Sequence, residues 1–266
     1  MQNFSLSIES KDLVYSANIE VYLRNNVEIN KTPLPIVIIC PGGGYSFLST
    51  RESEPIALAF LSQGFHAVVL NYTTMSNSIE GNFLHSTILQ VAKTFELINE
   101  NKKEWNVDSS QIFLLGCSAG GHLAASYSTV WKKFEQKEIN YKPKGTILCY
   151  PVIGFEYGWP ENLAHFNFTL EDPSVYDASN FINAETPDTF IWHTASDTTV
   201  PVLNTLKYCE NLTKNNIPFE CHIFENGQHG LALATKSTAK MFTNDYVLPE
   251  VANWFSTCID WINRRL

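Results

Sequence analysis

Three side chains far apart in the chain, Ser118, Asp197 and His229, have neighbours that could give them chemistry. Ile112-Phe113-Leu114-Leu115 is an apolar run too short for a helix; it stops at Gly116, and two residues later a helical pattern of small and apolar residues begins. Ser118 lies between, in the frame Gly116-Cys117-Ser118-Ala119-Gly120. This is the Gly-x-Ser-x-Gly form, in which a strand turns sharply into a helix and holds the serine at the tip of the bend. Glycines flank the serine because the backbone there is strained and a Cβ on either side would collide with strand or helix. The turn exposes the hydroxyl and aims the Ala119 N–H, at the helix N-terminus, toward whatever the serine attacks. That suits an acyl-transfer nucleophile. The five-residue frame also occurs by chance as a plain packing turn, so its partners must decide.

A serine hydroxyl is a poor nucleophile until a base takes its proton, and the imidazole doing so must be oriented by a carboxylate. Asp197 directly follows the apolar strand Thr189-Phe190-Ile191-Trp192-His193, and His229 follows the next strand in a loop bracketed by Gly227 and Gly230. The chain order Ser, Asp, His is the one in which a parallel sheet would deliver the three groups to one edge. Other histidines have blander places: His66 and His222 in strand patterns, His85 and His122 in helices, and His193 on a buried strand. No pair has the spacing of a helical zinc site, so neither a metal nor another cofactor is expected. Asp172, Asp177 and Asp188 are the rivals of Asp197. A third element is Pro41-Gly42-Gly43-Gly44-Tyr45, at the end of the β-branched run Ile36-Val37-Ile38-Ile39-Cys40. Three successive glycines lose much chain entropy on folding, which a loop whose backbone must approach another group explains.

These pieces need a scaffold, and the hydrophobic rhythm supplies one. Residues 4 to 30 alternate as half-exposed antiparallel edge strands do. Then come a buried strand to Cys40, a helix from Pro55 to Gly64, the strand Ala67–Leu70 and an amphipathic helix from Asn82 to about Glu104. Asp108-Ser109-Ser110 turns into the elbow strand, and the helix after Ser118 runs to about Lys133. Strands at Gly145–Tyr150, 189–193 and Phe219–Phe224, a helix from Pro201 to about Asn215 and a closing helix with one apolar face complete the order. Strands alternating with helices mean a mainly parallel sheet with ligands at the carboxyl ends of its strands. Phe155 to Asp188 breaks the rhythm with many aromatics and no period. It reads as a small lid or pocket wall, or as a flap that merely finishes the core.

At 266 residues and 44% hydrophobic composition the whole chain, 1–266, fits one large domain. A formal charge of −9 and a pI near 5.2 oppose a nucleic-acid surface. No apolar run approaches 18 residues, and the first twenty residues lack a signal-peptide pattern, so a cytoplasmic protein with no membrane association is expected. The six cysteines include no Cys-x-x-Cys and several sit in apolar runs, as buried thiols do.

The glycine loop, the extended elbow Gly116-Cys117-Ser118-Ala119-Gly120-Gly121-His122-Leu123-Ala124, Asp197 before Val200-Pro201, and His229-Gly230 together resemble the α/β-hydrolase serine esterases of the triple-glycine oxyanion-loop type. The longer elbow is especially similar to that of the small acetyl-xylan-esterase-like carbohydrate esterases. The resemblance spans about residues 30 to 266. It implies an α/β-hydrolase fold, with a mainly parallel twisted sheet, helices on both faces and a small aromatic lid insertion. It also implies Ser118 as nucleophile, His229 as general base and acid, Asp197 as orienting carboxylate, and Gly43, Gly44 and Ala119 as oxyanion N–H donors. Pro41 stands where the family's loop usually has His, which leaves open which glycines point inward. Candidate pocket residues are Tyr45, Phe155, Trp159 and His165. The expected substrate is a small-molecule or oligosaccharide ester with a short acyl group, such as an acetylated sugar. A general carboxylesterase or serine peptidase is the alternative, and a non-catalytic binding protein a more distant one. Self-association is left open.

Overall fold

Residues such as Ile36 to Cys40 are apolar on both faces and can be satisfied only between two helical layers, and the computed structural model of the chain places them there. The structure describes all residues other than 10–12, 14, 26–31, 76–82, 162–175 and 241–242. Eight strands, β1 (Gln2–Ile8), β2 (Ala17–Leu23), β3 (Leu34–Cys40), β4 (His66–Asn71), β5 (Val107–Cys117), β6 (Gly145–Cys149), β7 (Thr189–Thr194) and β8 (Phe219–Phe224), form one sheet. Its order is β1-β2-β4-β3-β5-β6-β7-β8. The first two strands run antiparallel, as their alternating pattern predicts, and β4, β3, β5, β6, β7 and β8 pair in parallel.

Successive strand residues point to opposite faces, so each buried strand feeds two apolar layers. Ile36, Ile38, Leu114, Leu148 and Ile191 pack with α2 (Phe83–Asn101), α3 (Ala119–Val130) and α4 (Leu203–Lys214). Val37, Ile39, Phe113, Leu115, Ile147, Phe190 and Trp192 pack with α1 (Glu54–Ser62) and α5 (Pro249–Asn263). The helix α5 lays Val251, Trp254, Cys258 and Ile262 on this second layer, the face its periodicity marks.

Two expectations need correction. Asp108-Ser109-Ser110 does not precede the elbow strand but lies inside it. Val107 already pairs with Leu34, and the register shifts before Ile36 meets Ile112. Asp108 Oδ1 accepts from the Ser110 N–H and hydroxyl, 2.9 and 2.6 Å, so the local turn chemistry is absorbed as an irregularity of the ladder. The helix after Ser118 ends at Val130, and a 3₁₀ turn, Trp131–Phe134, continues it to the expected end. In the aromatic excursion, residues 162–175 lie outside the described residues. The remainder carries a 3₁₀ turn, Ala178–Phe181, capped by the Asp177 side chain on the Ser179 N–H. The glycine loop, the elbow, Tyr150, Asp197 and His229 all follow the carboxyl ends of adjacent parallel strands, β3 and β5 to β8.

Candidate active site

The elbow is strained and held from three sides. Ser118 has φ 54° and ψ −119°, a conformation that L residues rarely adopt. Its N–H donates to Cys149 O at 3.0 Å, and its carbonyl accepts from His122 N and Val152 N, both at 3.1 Å. The flanking glycines are a packing necessity: a Cβ on Gly116 would collide with the Gly120 carbonyl, and one on Gly120 with the carbonyl oxygens of Cys40 and Pro41. Gly120→Ala is therefore expected to destabilise the protein by about 1–3 kcal/mol through overpacking. The Tm should drop by several degrees, and an unchanged thermal transition would contradict this close approach.

At the tip of the turn the Ser118 hydroxyl lies 2.7 Å from His229 Nε2, and His229 Nδ1 lies 2.6 Å from Asp197 Oδ2. A carboxylate oxygen facing Nδ1 fixes the tautomer: Nδ1 carries the proton and the Nε2 lone pair faces the serine O–H. Asp197 is itself over-determined. Its Oδ1 accepts from the Thr199 and Val200 N–H groups, each at 2.9 Å, and His193 Nε2 stands 3.3 Å from Oδ2. Burial alone would raise this carboxyl's pKa. Hydrogen bonds from His193 and His229, the charge of His229 and the Val200 N–H outweigh burial and hold it well below the usual carboxylate range. His193 donates from Nε2 to Val200 O (2.9 Å) and meets the Thr205 hydroxyl at Nδ1 (2.8 Å), so the strand that ends at the acid also braces it. The rivals are engaged elsewhere: Asp177 with Tyr157 and Ser179, and Asp188 with Arg265. Asp172 lies outside the described residues.

The glycine loop follows β3 beside the elbow. Its Gly42 N–H is committed to Glu52 Oε2 at 2.7 Å, whereas those of Gly43 (φ 127°) and Gly44 (φ 61°) have no acceptor among the described residues. A Cβ on Gly43 would run into the Phe47 carbonyl, so only glycine fits there. The cleft over Ser118 and His229 has a volume of about 760 Å³ and is lined by Gly43, Gly44, Phe47, Arg51, Trp159 and Lys240 among others. A second depression, about 410 Å³ and lined by Leu84, Ile88, Val130, Phe134 and Phe181, touches none of the three chemistry-bearing residues.

The expected pocket residues divide. Trp159 lines the cleft. Tyr45 does not: it is 1% exposed, and its hydroxyl donates to His122 Nδ1 (2.7 Å) amid Tyr72 and Phe83. A φ of 59° at Tyr45 turns its ring inward and makes it the anchor of the loop instead of a wall. Phe155 is likewise buried, stacked on Tyr176 at 5.5 Å and packed on His122 at 5.2 Å. His165 lies outside the described residues. Sequence reasoning passed over Phe47, 62% exposed at the mouth, and Glu52, buried beneath it. A lone aromatic after a turn and an acid before a helix carry no periodic signal.

His122 illustrates the polar wiring behind the elbow. It donates from Nε2 to Tyr176 O at 2.6 Å, and burial pushes its pKa down to about 4 although that carbonyl and Asp177 oppose the shift. Between the ordinary value near 6.5 and about 4, the unfolded chain binds a proton that the folded one does not. Stability therefore falls as pH is lowered through that window, by up to about 3 kcal/mol. Urea unfolding at pH 7.5 and 4.5 should show this loss in the wild type and a smaller loss in His122→Gln. Equal losses in the two proteins would place the pH sensitivity elsewhere.

Among the described residues, no three His, Cys, Asp or Glu side chains are grouped as a metal site, and no helix is long and apolar enough to cross a membrane. All six cysteines are free thiols, five of them buried and Cys221 half-buried.

A mainly parallel sheet with helices on both faces, an elbow serine and hydrogen-bonded Ser118, His229 and Asp197 side chains at the carboxyl ends of its strands define an α/β hydrolase, and solved structures of that class superpose on it. One is MGS-M1, an α/β hydrolase enzyme from a deep-sea metagenome library, which is 28% identical with a TM-score of 0.78, covering 99% of this chain and 98% of that one. Residues 19–158 match the BD-FAE family model, and the chain belongs to that family. A sugar hydrolase from Lactococcus lactis is 45% identical with 98% of both chains covered and a TM-score of 0.87. The carboxylesterase Cest-2923 of Lactobacillus plantarum is 29% identical with a TM-score of 0.92, over 100% of this chain and 98% of that one. Among curated proteins, endo-1,4-beta-xylanase B of Butyrivibrio fibrisolvens is 31% identical over 82% of this chain and 35% of its own length. The acetylxylan esterase of Xylanibacter ruminicola is 26% identical over 83% and 45%. The chain thus spans less than half the length of these two curated relatives.

Proposed function

We propose that the protein is a serine carboxylesterase that removes short acyl groups, acetyl esters of sugars foremost, through an acyl-enzyme. The observation that carries this reading is the pair of contacts at 2.7 and 2.6 Å linking Ser118 to His229 and His229 to Asp197 at the floor of an open cleft. In the proposed cycle Ser118 Oγ attacks the ester carbonyl while His229 Nε2 takes its proton. The N–H groups of Ala119, Gly43 and Gly44 receive the oxyanion, the first of them an unpaired donor at the start of α3. Collapse breaks the ester C–O bond, and the imidazolium returns the proton to the departing alcohol. Water, deprotonated by His229, then cleaves the acyl-serine. Asp197 orients the ring and stabilises its charge in both halves.

An acetyl-sugar substrate is supported by the names of the relatives, an acetylxylan esterase and a xylanase. It is also supported by Trp159 and the exposed Phe47 at the cleft, since aromatic faces suit sugar rings. Hydrolysis of acetylated xylo-oligosaccharide, p-nitrophenyl acetate, a p-nitrophenyl octanoate and a dipeptide amide tests it. Acetyl esters should turn over fastest and the amide slowest; a preference for the amide would make the protein a peptidase.

A further inference from the structure

Below the cleft sits a carboxyl group that the proposed cycle does not use. Glu52 closes the 3₁₀ turn Thr50–Glu52 and is 3% exposed. A buried carboxyl is tolerated only where its oxygens are hydrogen-bonded, so its partners reveal what it is for. Oε2 accepts from the Gly42 N–H at 2.7 Å, and Oε1 accepts from the Tyr150 hydroxyl at 2.8 Å. The Tyr150 oxygen in turn accepts from the Ala232 N–H at 3.0 Å, three residues beyond His229. The Tyr150 ring stands edge-on to the His229 ring, with centroids 5.2 Å apart and planes at 76°. Gly42 is pinned between this carboxyl and the elbow: a Cβ on it would lie 2.6 Å from Glu52 Oε2 and 2.9 Å from Ser118 Cβ. The preceding residue of the same turn, Arg51, donates from Nη2 to Gly230 O at 2.8 Å, next to His229.

We propose that Glu52 is a positioning residue that sets the glycine loop and the histidine loop in register about Ser118, acting through Gly42 on one side and through Tyr150 and Ala232 on the other. Engaging the Gly42 N–H fixes the loop so that the next two N–H groups face the elbow. Engaging the Tyr150 hydroxyl fixes the ring against which His229 rests. Pro41, whose side chain carries no hydrogen-bonding group, leaves that task to Glu52. The inference rests on the esterase reading.

Glu52→Gln preserves size but replaces one of the two acceptor oxygens by an NH₂ group; with the amide oxygen held by the Gly42 N–H, the Tyr150 hydroxyl loses the acceptor it donates to. Measured per active site, by burst titration with p-nitrophenyl acetate, kcat should fall about 10- to 100-fold, because a loosened reacting geometry costs on that order. KM should stay within about twofold. Tyr150→Phe keeps the ring but removes the bridge, and should lower kcat per titrated site in the same way. The double variant should lose much less than the product of the two single effects, since both act on one link. A Glu that merely stabilised the fold would lower the Tm and the titre of active sites while leaving kcat per site at the wild-type value. That result, or multiplicative losses in the double variant, would overturn the proposal. If Glu52→Gln does not fold, Tyr150→Phe decides alone, a fall in kcat per site supporting the role and a wild-type value overturning it. Failure of the esterase reading shows separately, as wild-type protein without Ser118-dependent hydrolysis, and would take this inference with it.

Discussion

Replacing Ser118 by alanine is expected to lower ester turnover by about 10⁵- to 10⁶-fold while the thermal transition stays within a few degrees of wild type. The fall is large because in the proposed cycle no second group can take over the attack: His229 serves as the base, and the oxyanion donors act only on an adduct that would no longer form. The fold is spared because the elbow is held by backbone contacts, from Ser118 N to Cys149 O and from His122 N and Val152 N to Ser118 O, which alanine keeps. Ser118→Gly separates chemistry from strain. It should be equally inactive yet more stable than the alanine variant by about 1 kcal/mol, since glycine adopts φ 54° freely. Turnover of p-nitrophenyl acetate and differential scanning calorimetry on the three proteins read both effects. An alanine variant with more than a few per cent of wild-type turnover would move the nucleophile elsewhere.

Asp197→Asn is expected to reduce kcat/KM by about 10⁴-fold. The amide oxygen can still accept from Thr199 and Val200, so the loop should keep its shape. Its NH₂ group would then face His229 Nδ1 and, on its other side, His193 Nε2. Two donors cannot bond to one another, so the His229 proton must move to Nε2, where it confronts the serine hydroxyl and removes the base. His193 cannot adapt in compensation, because its Nε2–H is held by the Val200 carbonyl and its Nδ1 by Thr205. Initial rates over a substrate series provide the test. A loss below about tenfold would mean that the imidazole is oriented by something other than residue 197.

Much of this architecture can be read from residue order alone. The β-branched run at Ile36–Cys40 and the short run before Gly116 can only be buried strands. Glycine and serine after them can only be loops at the carboxyl edge, so distant groups must converge. What escapes such reading is anything set by side-chain direction. Tyr45 follows the glycines and suggests a pocket wall, but one backbone angle sends it into the core to meet His122. Glu52 precedes a helix and looks like a solvated first-turn acid, and only the packed loops reveal that it is enclosed. Asp108-Ser109-Ser110 has turn chemistry, yet pairing of Val107 with Leu34 draws it into the sheet. In each case a tertiary contact overrides a local preference that is real but worth less.

The proposed esterase chemistry depends on an addressable, activated hydroxyl at residue 118. Reaction of the intact protein with a fluorophosphonate, followed by peptide mapping by mass spectrometry, examines it most directly. A single adduct on the peptide carrying Ser118, absent from Ser118→Ala and strongly slowed in His229→Ala, is the expected result. A protein that stays unmodified under conditions that label a known serine esterase, or that is modified at another residue, would contradict it.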